Sequence, residues 1–221
     1  MNMELQVNQL FSYPVAVINL DDFFVSFFEK EKKNQIWHEN IHEHCSNNYV
    51  SRDMNILEKY PKEKQKLLDC VNFYKNEIMK WTDVELSITT SWMTKTKQNG
   101  FSKPHSHKNS LISGVVYDPS TSKQNAGPLY FQSTKTHSSI LPCNPSTFNY
   151  ENCTEAYIDV LPNHLILFES CLKHHIGKHL SPTTRYSLAF NTFPKGNFGF
   201  ADSSVSSNIK NKPKGEENDN K

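Results

Sequence analysis

The sequence predicts a mainly β protein, a barrel or sandwich of short strands with a small helical N-terminal part packed on its outside. From Glu85 onward, apolar residues alternate with polar ones, which is typical of strands that bury one face. Gly, Pro and Asn divide this part of the chain into short segments at the spacing of an all-β domain. Before Glu85, the apolar residues of the stretch 61–81 recur at the spacing of a helix.

The composition favours one soluble, intracellular domain. A chain of 221 residues suits a single large domain, and 24 Lys and Arg against 23 Asp and Glu leave a net charge of +1. A net charge this close to zero gives no overall electrostatic attraction to nucleic acid or to a membrane surface, so neither is indicated as a partner. The five cysteines show no paired spacing, no apolar run has the length of a membrane helix, and no signal-peptide pattern is present. We therefore expect a cytoplasmic protein, and the sequence does not indicate its oligomeric state.

The N-terminal part, about residues 1–84, is expected to contain one strand, two helices and a loop. The apolar stretch 10–20 reads as a strand interrupted by a proline, and four phenylalanines at helical spacing predict a short helix over 21–33. Residues 35–52 are polar, which predicts a loop. The clearest helix is expected at 61–81, where the apolar face consists of Leu67, Leu68, Val71, Tyr74, Ile78 and Trp81.

The β part is expected to extend over about residues 85–200. Strand candidates lie at 110–118, 128–133, 138–142, 155–160, 164–169 and 184–193. Beyond Phe200 the chain contains almost no apolar residues, which predicts a disordered tail over 201–221. Residues 1–200 would then form a single domain.

Two histidines two residues apart, His105 and His107, stand just before the strand candidate at 110–118. Side chains at positions i and i+2 of a strand point the same way, so the two imidazoles can reach one point. Two buried imidazoles side by side are costly without a shared partner, which favours a metal ion. A third imidazole from a distant strand would complete a mononuclear metal centre with open positions, and His174, His175 and His179 are all candidates by spacing alone.

Arg185 opens an alternating run in which it shares one strand face with Ser187. If this face points inward, the guanidinium and the hydroxyl form a pair suited to binding a carboxylate. In the alternative, this face points to solvent and the opposite face, with Tyr186, Leu188 and Phe190, forms the core. The residues alone leave both orientations open, with the second slightly favoured.

A second group of histidines, His38, His42 and His44, lies near Glu43 and Cys45 in the predicted polar loop. Histidines in such a loop are usually solvated side chains, and we interpret them in this way. A second metal site is the alternative interpretation.

Several segments, in this order and with these gaps, resemble the iron(II)/2-oxoglutarate-dependent oxygenases, most closely a group of that superfamily common in phages and marine bacteria. The resembling segments are Ser91-Trp92, Gly100, Pro104-His105-Ser106-His107, Asn109–Tyr117, Gly127–Phe131, Leu167-Phe168, Cys171–Ile176 and Arg185–Asn191. The resemblance implies a double-stranded β-helix, a cupin-like jelly roll with the metal near one mouth and the N-terminal helices outside.

The resemblance also implies a role for each histidine of the motif. His105 corresponds to the first metal ligand, His107 to a position usually held by a carboxylate, and His174 to the distal histidine. The gap from His174 to the family's 2-oxoglutarate arginine fits better than the gap from His175 or His179. The implied metal is iron(II).

Arg185 corresponds to the residue that holds the far carboxylate of 2-oxoglutarate, with Ser187 as its hydroxyl partner. Thr94 and Thr96, alternating on the strand before the histidine motif, are expected to line the cosubstrate pocket. The same is expected of Tyr117, on the strand after the motif.

The chain departs from the superfamily at His107, because the usual ligand set is two histidines and one Asp or Glu. Three interpretations follow, in order of preference. His107 is a true third ligand, or it stands aside and water completes a two-histidine site, or the chain binds metal without efficient oxidation.

The implied activity is a hydroxylase reaction that couples oxidative decarboxylation of 2-oxoglutarate to oxidation of a substrate by dioxygen. The substrate itself cannot be read from the residues. One alternative is a catalytically silent, metal-binding jelly roll with a structural or assembly role. Another is a three-histidine cupin-type dioxygenase, which would leave Arg185 and Ser187 without a ligand.

Overall fold

The computed structural model of the chain describes residues 6, 12–40, 46–133, 146–149 and 152–208. Its elements, in chain order, are β1 (Ala16–Asn19), α1 (Val25–Asn34), β2 (Trp37–Glu39), β3 (Ser46–Ser51), a 3-10 turn (Ile56–Lys59), α2 (Pro61–Phe73), a π turn (Tyr74–Ile78), β4 (Glu85–Phe101), β5 (Ile112–Tyr117), β6 (Leu129–Gln132), β7 (Glu155–Ile158), β8 (His164–Glu169), β9 (His174–Ile176), β10 (Arg185–Phe198), a second 3-10 turn (Ala201–Ser203) and β11 (Val205–Ser207). Within these ranges, neither helix has the length and apolar character needed to cross a bilayer.

The strands form two antiparallel sheets. The larger sheet has the order β1-β8-β5-β10-β4-β3-β2, with β11 added beside β10, and the smaller sheet has the order β7-β6-β9. The rings of Phe131 on β6 and Phe168 on β8 lie 5.1 Å apart, so the sheets face each other. This arrangement is the predicted jelly roll, and the prediction of the fold class is confirmed.

The outer face of the larger sheet is covered by the two N-terminal helices. Phe27 and Phe28 of α1 and Leu67 of α2 are fully buried in one cluster with Leu188 and Phe190 of β10. Burying a side chain of this size contributes about 1.5–3 kcal/mol relative to leaving it in water. The helices therefore pack outside the sheets, as predicted, because their apolar stripes match the apolar alternate residues of the strands.

A glycine allows the central strands to pack closely on this outer face. A Cβ atom built on Gly114 of β5 would lie 2.3 Å from the ring of Phe190 on the neighbouring strand. Only a residue without a side chain leaves room for the phenylalanine to lie across β5.

The inner face of the larger sheet and the smaller sheet share a second apolar cluster. Its buried members are Tyr117, Ala126, Leu129, Phe131, Val160, Ile166, Phe168 and Leu172. This cluster occupies only part of the space between the sheets, and the remainder is a cavity described below.

The prediction of a loop over 35–52 is wrong, because β2 and β3 lie there and pair with each other and with β4. These strands are at the edge of the sheet, where polar residues meet solvent or each other, so the apolar alternation is missing. Asn48, for example, is buried and donates a hydrogen bond of 2.9 Å to Oγ1 of Thr96. The candidate strand at 138–142 lies outside the described residues.

The prediction of a disordered tail from residue 201 is wrong over residues 201–207. These residues form a 3-10 turn and β11, which pairs with residues 196–198 of β10. Main-chain hydrogen bonds make this pairing independent of apolar side chains, and Gly199 at φ 92° permits the reversal. Residues 209–221 lie outside the described part of the chain, and the single-domain boundary at residue 200 stays a prediction.

Candidate active site

Backbone pairing brings two of the predicted metal-ligating residues together. His105 and His174 exchange two hydrogen bonds, of 2.9 Å and 2.8 Å, across an isolated antiparallel bridge. Directly opposed residues of this kind have their side chains side by side. The N–H of His107 donates to the carbonyl oxygen of Ser170 at 3.0 Å, which continues the same pairing toward the end of β8.

The three imidazoles form one compact cluster. The ring centroids of His105, His107 and His174 lie between 4.6 and 5.2 Å from one another. Each ring offers one nitrogen to a common point, and these three atoms lie within 4.8 Å of one another. Two nitrogens at about 2.1 Å from one cation can be at most about 4.2 Å apart, so small side-chain rotations would let all three bind one ion.

Two of the rings are oriented by backbone carbonyl groups. Nδ1 of His105 lies 3.0 Å from the carbonyl oxygen of Lys103, and Nδ1 of His174 lies 2.8 Å from that of Leu172. Because a carbonyl only accepts, Nδ1 must carry the proton, and Nε2 is then the ring nitrogen that carries the lone pair. This orientation is the one that metal-binding histidines usually have. The ring of His107 instead packs edge-on against Trp92, with centroids 5.7 Å apart.

Burial keeps two of the imidazoles, those of His107 and His174, neutral. Burial, followed by repulsion from His105, lowers the pKa of His107 to about 4. Burial is also the first cause that lowers the pKa of His174 to about 3, with the neighbouring histidines adding to it. A neutral imidazole is the form that binds metal, so protons do not compete at these two rings near neutral pH.

The other histidines are engaged elsewhere. His175 stacks on Tyr130 with ring centroids 5.0 Å apart, and His179 is fully buried with both ring nitrogens against carbonyl oxygens, at 2.9 and 2.6 Å. His174 is thus the residue brought to the cluster, as the resemblance implied. His38 is exposed on β2, and His42 and His44 lie outside the described residues.

Arg185, at the start of β10, is a buried cation that lacks a full set of partners. Its side chain is 2% exposed, and Nη1 donates to the carbonyl oxygens of Ala126 and Gly127 at 2.6 Å each. Nε and Nη2 have no hydrogen-bond partner, and no described carboxylate forms an ion pair with this guanidinium. Burial accordingly lowers the pKa of Arg185. A buried charge with unpaired donors is costly, so the site suits an anionic ligand.

Ser187 lies on the same face of β10, is 4% exposed, and stands opposite Thr94 of β4 and Tyr117 of β5. The guanidinium carbon of Arg185 lies 5.6 Å from the centre of the Tyr117 ring. Thr96, opposite Arg185, is buried with its hydroxyl bonded to Asn48.

The inward orientation of Arg185 and Ser187 is correct, and the alternative that they face solvent is wrong. Leu188 and Phe190 on the opposite face are equally buried, so neither face of β10 is open to solvent between residues 185 and 190. The prediction assumed that burial of one face implies exposure of the other. This assumption fails because β10 lies between the helices and the smaller sheet.

One cavity of about 480 Å³ joins these groups, and its lining includes the three histidines together with Arg185, Ser187, Thr94 and Tyr117. Arg185 is the only Lys, Arg, Asp or Glu side chain that lines it within the described ranges. Thr96 is not among the lining residues.

Trp92 and Asn191 line the cavity but were not predicted as site residues. The alternation of side chains along β4 and β10 could have identified them. Trp92 is two residues before Thr94, and Asn191 is six residues after Arg185, so each shares the inward face of a strand already assigned to the site.

Comparison with protein families gives a match for residues 90–191, to a family described as "Putative 2OG-Fe(II) oxygenase". This range includes the three clustered histidines and Arg185. A comparison with curated protein sequences finds no match.

Several solved structures share the fold of this chain. HygX from Streptomyces hygroscopicus with nickel, 2-oxoglutarate and hygromycin B bound is 13% identical, with a TM-score of 0.56, and the alignment covers 81% of this chain and 82% of that one. A prolyl-4-hydroxylase from Pseudomonas putida is 11% identical, with a TM-score of 0.54 over 84% and 95% of the two chains. A prolyl hydroxylase from Trichoplax adhaerens in complex with a hypoxia inducible factor peptide is 12% identical, with a TM-score of 0.54 over 81% and 83%. The family model thus matches the part of the chain that holds the clustered histidines and Arg185, and these solved structures share the fold of the whole described domain.

Proposed function

We propose that the chain is an iron(II)/2-oxoglutarate-dependent oxygenase, in which His105, His107 and His174 hold the iron(II) and Arg185 and Ser187 hold the far carboxylate of 2-oxoglutarate. The observation that carries the proposal is the buried guanidinium with two unpaired donors in the same cavity as three convergent imidazoles. A ligand that is anionic at one end and can chelate a metal at the other satisfies both groups.

The charges fit this assignment. Three neutral imidazoles add no charge to a divalent cation, so the metal site would carry +2, and the near carboxylate of 2-oxoglutarate would reduce this charge to +1. The guanidinium has a separate unpaired positive charge, and a carboxylate can accept hydrogen bonds from its Nε and Nη2 as a fork. The Ser187 hydroxyl is one step along the same strand face and adds a third donor.

When bound, iron and 2-oxoglutarate together supply the activation of dioxygen and the electrons that it requires. The residues of this chain orient the cosubstrate, keep the imidazoles neutral and exclude water with walls such as Phe168, Leu129 and Ile176. No lining residue outside the histidine cluster is a carboxylate or a histidine in the described ranges, so the residues offer no separate general base.

We propose that His107 is a true third ligand, in the position where the superfamily usually has a carboxylate. Its ring lies about as close to the other two as they lie to each other, and its contact with Trp92 holds it in the cluster. A site in which His107 stands aside would require the ring to leave this contact.

We propose further that the part of the substrate entering the cavity is uncharged. Beyond the dicarboxylate site, the lining consists of residues such as Val50, Met54, Trp92 and Asn40, with no charged side chain within the described residues. HygX is solved with hygromycin B bound and the Trichoplax adhaerens enzyme with a peptide fragment, so the shared fold accepts ligands of different classes. An intracellular location is also proposed, because Cys70, Cys153 and Cys171 are free thiols.

The test measures the binding of 2-oxoglutarate and the binding of the metal separately. In calorimetric titrations, Arg185→Ala should weaken 2-oxoglutarate binding about a hundredfold or more, because two charge-assisted hydrogen bonds are lost. Binding of the metal alone should change less than threefold. Arg52→Ala, which removes an arginine outside the cavity, is the matched control.

Equal loss of metal and 2-oxoglutarate binding in Arg185→Ala would contradict the assigned role. Succinate release from 2-oxoglutarate with iron(II) and dioxygen distinguishes the alternatives. A silent structural protein would release none, and a three-histidine dioxygenase would bind no 2-oxoglutarate.

A further inference from the structure

A chain of three hydroxyl groups ends on the side chain of Asn191 in β10. The hydroxyls of Ser110 and Ser113 each lie 2.7 Å from that of Ser170, which is fully buried. Ser113 then donates to Oδ1 of Asn191 at 2.8 Å. The proposed mechanism uses none of these four residues, although Asn191 lines the active-site cavity.

This chain fixes the direction of the Asn191 amide. Because Oδ1 accepts from Ser113, the NH2 group of the amide points the other way, and it donates to no residue in the described part of the molecule. A register shift between Asn191 and Thr192 interrupts the pairing of β10 with β4 at this position. Such irregularities commonly redirect a side chain beside an active site.

The sheet register places Asn191 at the level of the histidine cluster. Asn191 is opposite Ser113 on β5, and Ser113 is opposite Phe168 on β8. The ring of Phe168 lies 4.6 Å from that of His174. Ala189, which lies two residues before Asn191 on the same face of β10, is opposite Trp92. Trp92 in turn contacts His107. The amide therefore lies beside the proposed metal site.

The guanidinium of Arg185 and the amide of Asn191 belong to two levels of the same inward face of β10. The guanidinium lies beside Tyr117, which is opposite Ser187, and Ser187 is four residues from Asn191. Four strand residues correspond to about 13 Å. An extended five-carbon dicarboxylate measures about 7 Å between its outermost oxygens, and a hydrogen bond of about 2.9 Å at each end extends its reach to about 13 Å. A molecule of this length can therefore extend from the level of Ser187 and Tyr117 to Asn191.

We propose that the NH2 group of Asn191 donates a hydrogen bond to the carboxylate of 2-oxoglutarate that lies next to its keto group. This assignment rests on the proposed function, since it places the opposite carboxylate on Arg185. Asn191 and Arg185 then hold the two ends of one cosubstrate, and the serine chain is the device that keeps the amide turned toward it.

The experiment compares two ligands that differ only at the proposed contact. 2-Oxoglutarate has both carboxylates, whereas 4-oxopentanoate has the keto group and the far carboxylate but a methyl group in place of the near carboxylate. Binding of each is measured by calorimetry to nickel(II)-loaded protein, with 4-oxopentanoate also measured by competition. The variants are Asn191→Ala, Asn191→Asp and Arg185→Ala.

Asn191→Ala should weaken 2-oxoglutarate about tenfold or more and leave 4-oxopentanoate within about twofold, because one hydrogen bond to a charged group is lost. Asn191→Asp keeps the shape and the bond from Ser113 but replaces the donors by a carboxylate, so it should weaken 2-oxoglutarate further. Arg185→Ala should weaken both ligands.

The results separate this inference from the proposed function. If Asn191→Ala leaves 2-oxoglutarate affinity unchanged, or weakens both ligands equally, the contact with the near carboxylate is wrong while the role of Arg185 stands. If Arg185→Ala also leaves both affinities unchanged, the proposed function fails. Ser113→Ala, which frees the amide oxygen, should produce a smaller loss for 2-oxoglutarate alone, and an equal loss of both ligands would contradict the orienting role.

Discussion

The two faces of β10 differ in what their side chains do, although both are buried. On the outer face, Leu188 and Phe190 pack against the helices with complete apolar surroundings. On the inner face, Arg185 has two donors without partners among the described residues, and the NH2 group of Asn191, which lines the cavity, donates to no described residue. The outer face holds the fold together, whereas the inner face is complete only with a ligand.

The comparison teaches that burial alone does not distinguish core from site. The criterion that separates them is whether each polar group finds a partner within the protein. Thr192 shows the distinction, because it is fully buried yet both accepts from and donates to the backbone of Ile112. It belongs to the fold, whereas Arg185 belongs to the site.

The largest expected effect is a loss of stability caused by a substitution on the outer face of β10. Leu188→Ala should lower the free energy of unfolding by about 2–5 kcal/mol, because it removes a fully buried side chain that does not line the cavity and leaves a void under the helices. Chemical denaturation measures the loss. The fraction that remains folded should bind 2-oxoglutarate with wild-type affinity, and a parallel loss of affinity would show that the two faces are not separable.

A smaller effect, of opposite sign, is expected on the inner face. Arg185→Met replaces an incompletely paired buried cation by an apolar side chain of similar length. Without ligand, the free energy of unfolding should stay the same or rise by about 1–3 kcal/mol, since such replacements are often neutral or stabilising. Thermal unfolding without and with 2-oxoglutarate measures both consequences, because the ligand should stabilise only the wild type. Marked destabilisation of the ligand-free variant would mean that Arg185 is a structural residue.

The smallest effect concerns the pH dependence of the metal-free protein. Burial lowers the pKa values of His107 and His174 in the folded state below the usual value of 6.5. The unfolded chain therefore binds more protons between these values, and stability falls as the pH is lowered from about 6.5 toward 4. Denaturation at several pH values should show a shallower decline in His107→Gln, which has no titrating ring. A decline of the same slope in both proteins would exclude His107 as a contributor.

Local patterns in the sequence were sufficient for most of the fold. The alternation from Glu85 onward predicted β4, β5, β6, β7, β8 and β10, and the helical spacing of 61–81 predicted α2, which ends at Phe73 and continues as a π turn to Ile78. The short strand β9 was not predicted. The edge strands β2 and β3 were missed because residues such as Asn47 and Asn48 interrupt any apolar alternation. β11 was missed because main-chain hydrogen bonds, which no side chain reports, hold it to β10.

The sequence by itself determined the chemical groups of the site: a pair of histidines on one strand face, an arginine and serine on another, and a resemblance that ordered them along the chain. Only the tertiary structure decided that His174, and not its neighbours, reaches the pair, since that choice depends on a backbone bridge between segments far apart in the chain. It likewise decided that Arg185 points inward without a full set of partners. The physical reason is that a strand pattern shows which residues share a face, whereas what covers that face depends on other strands and helices.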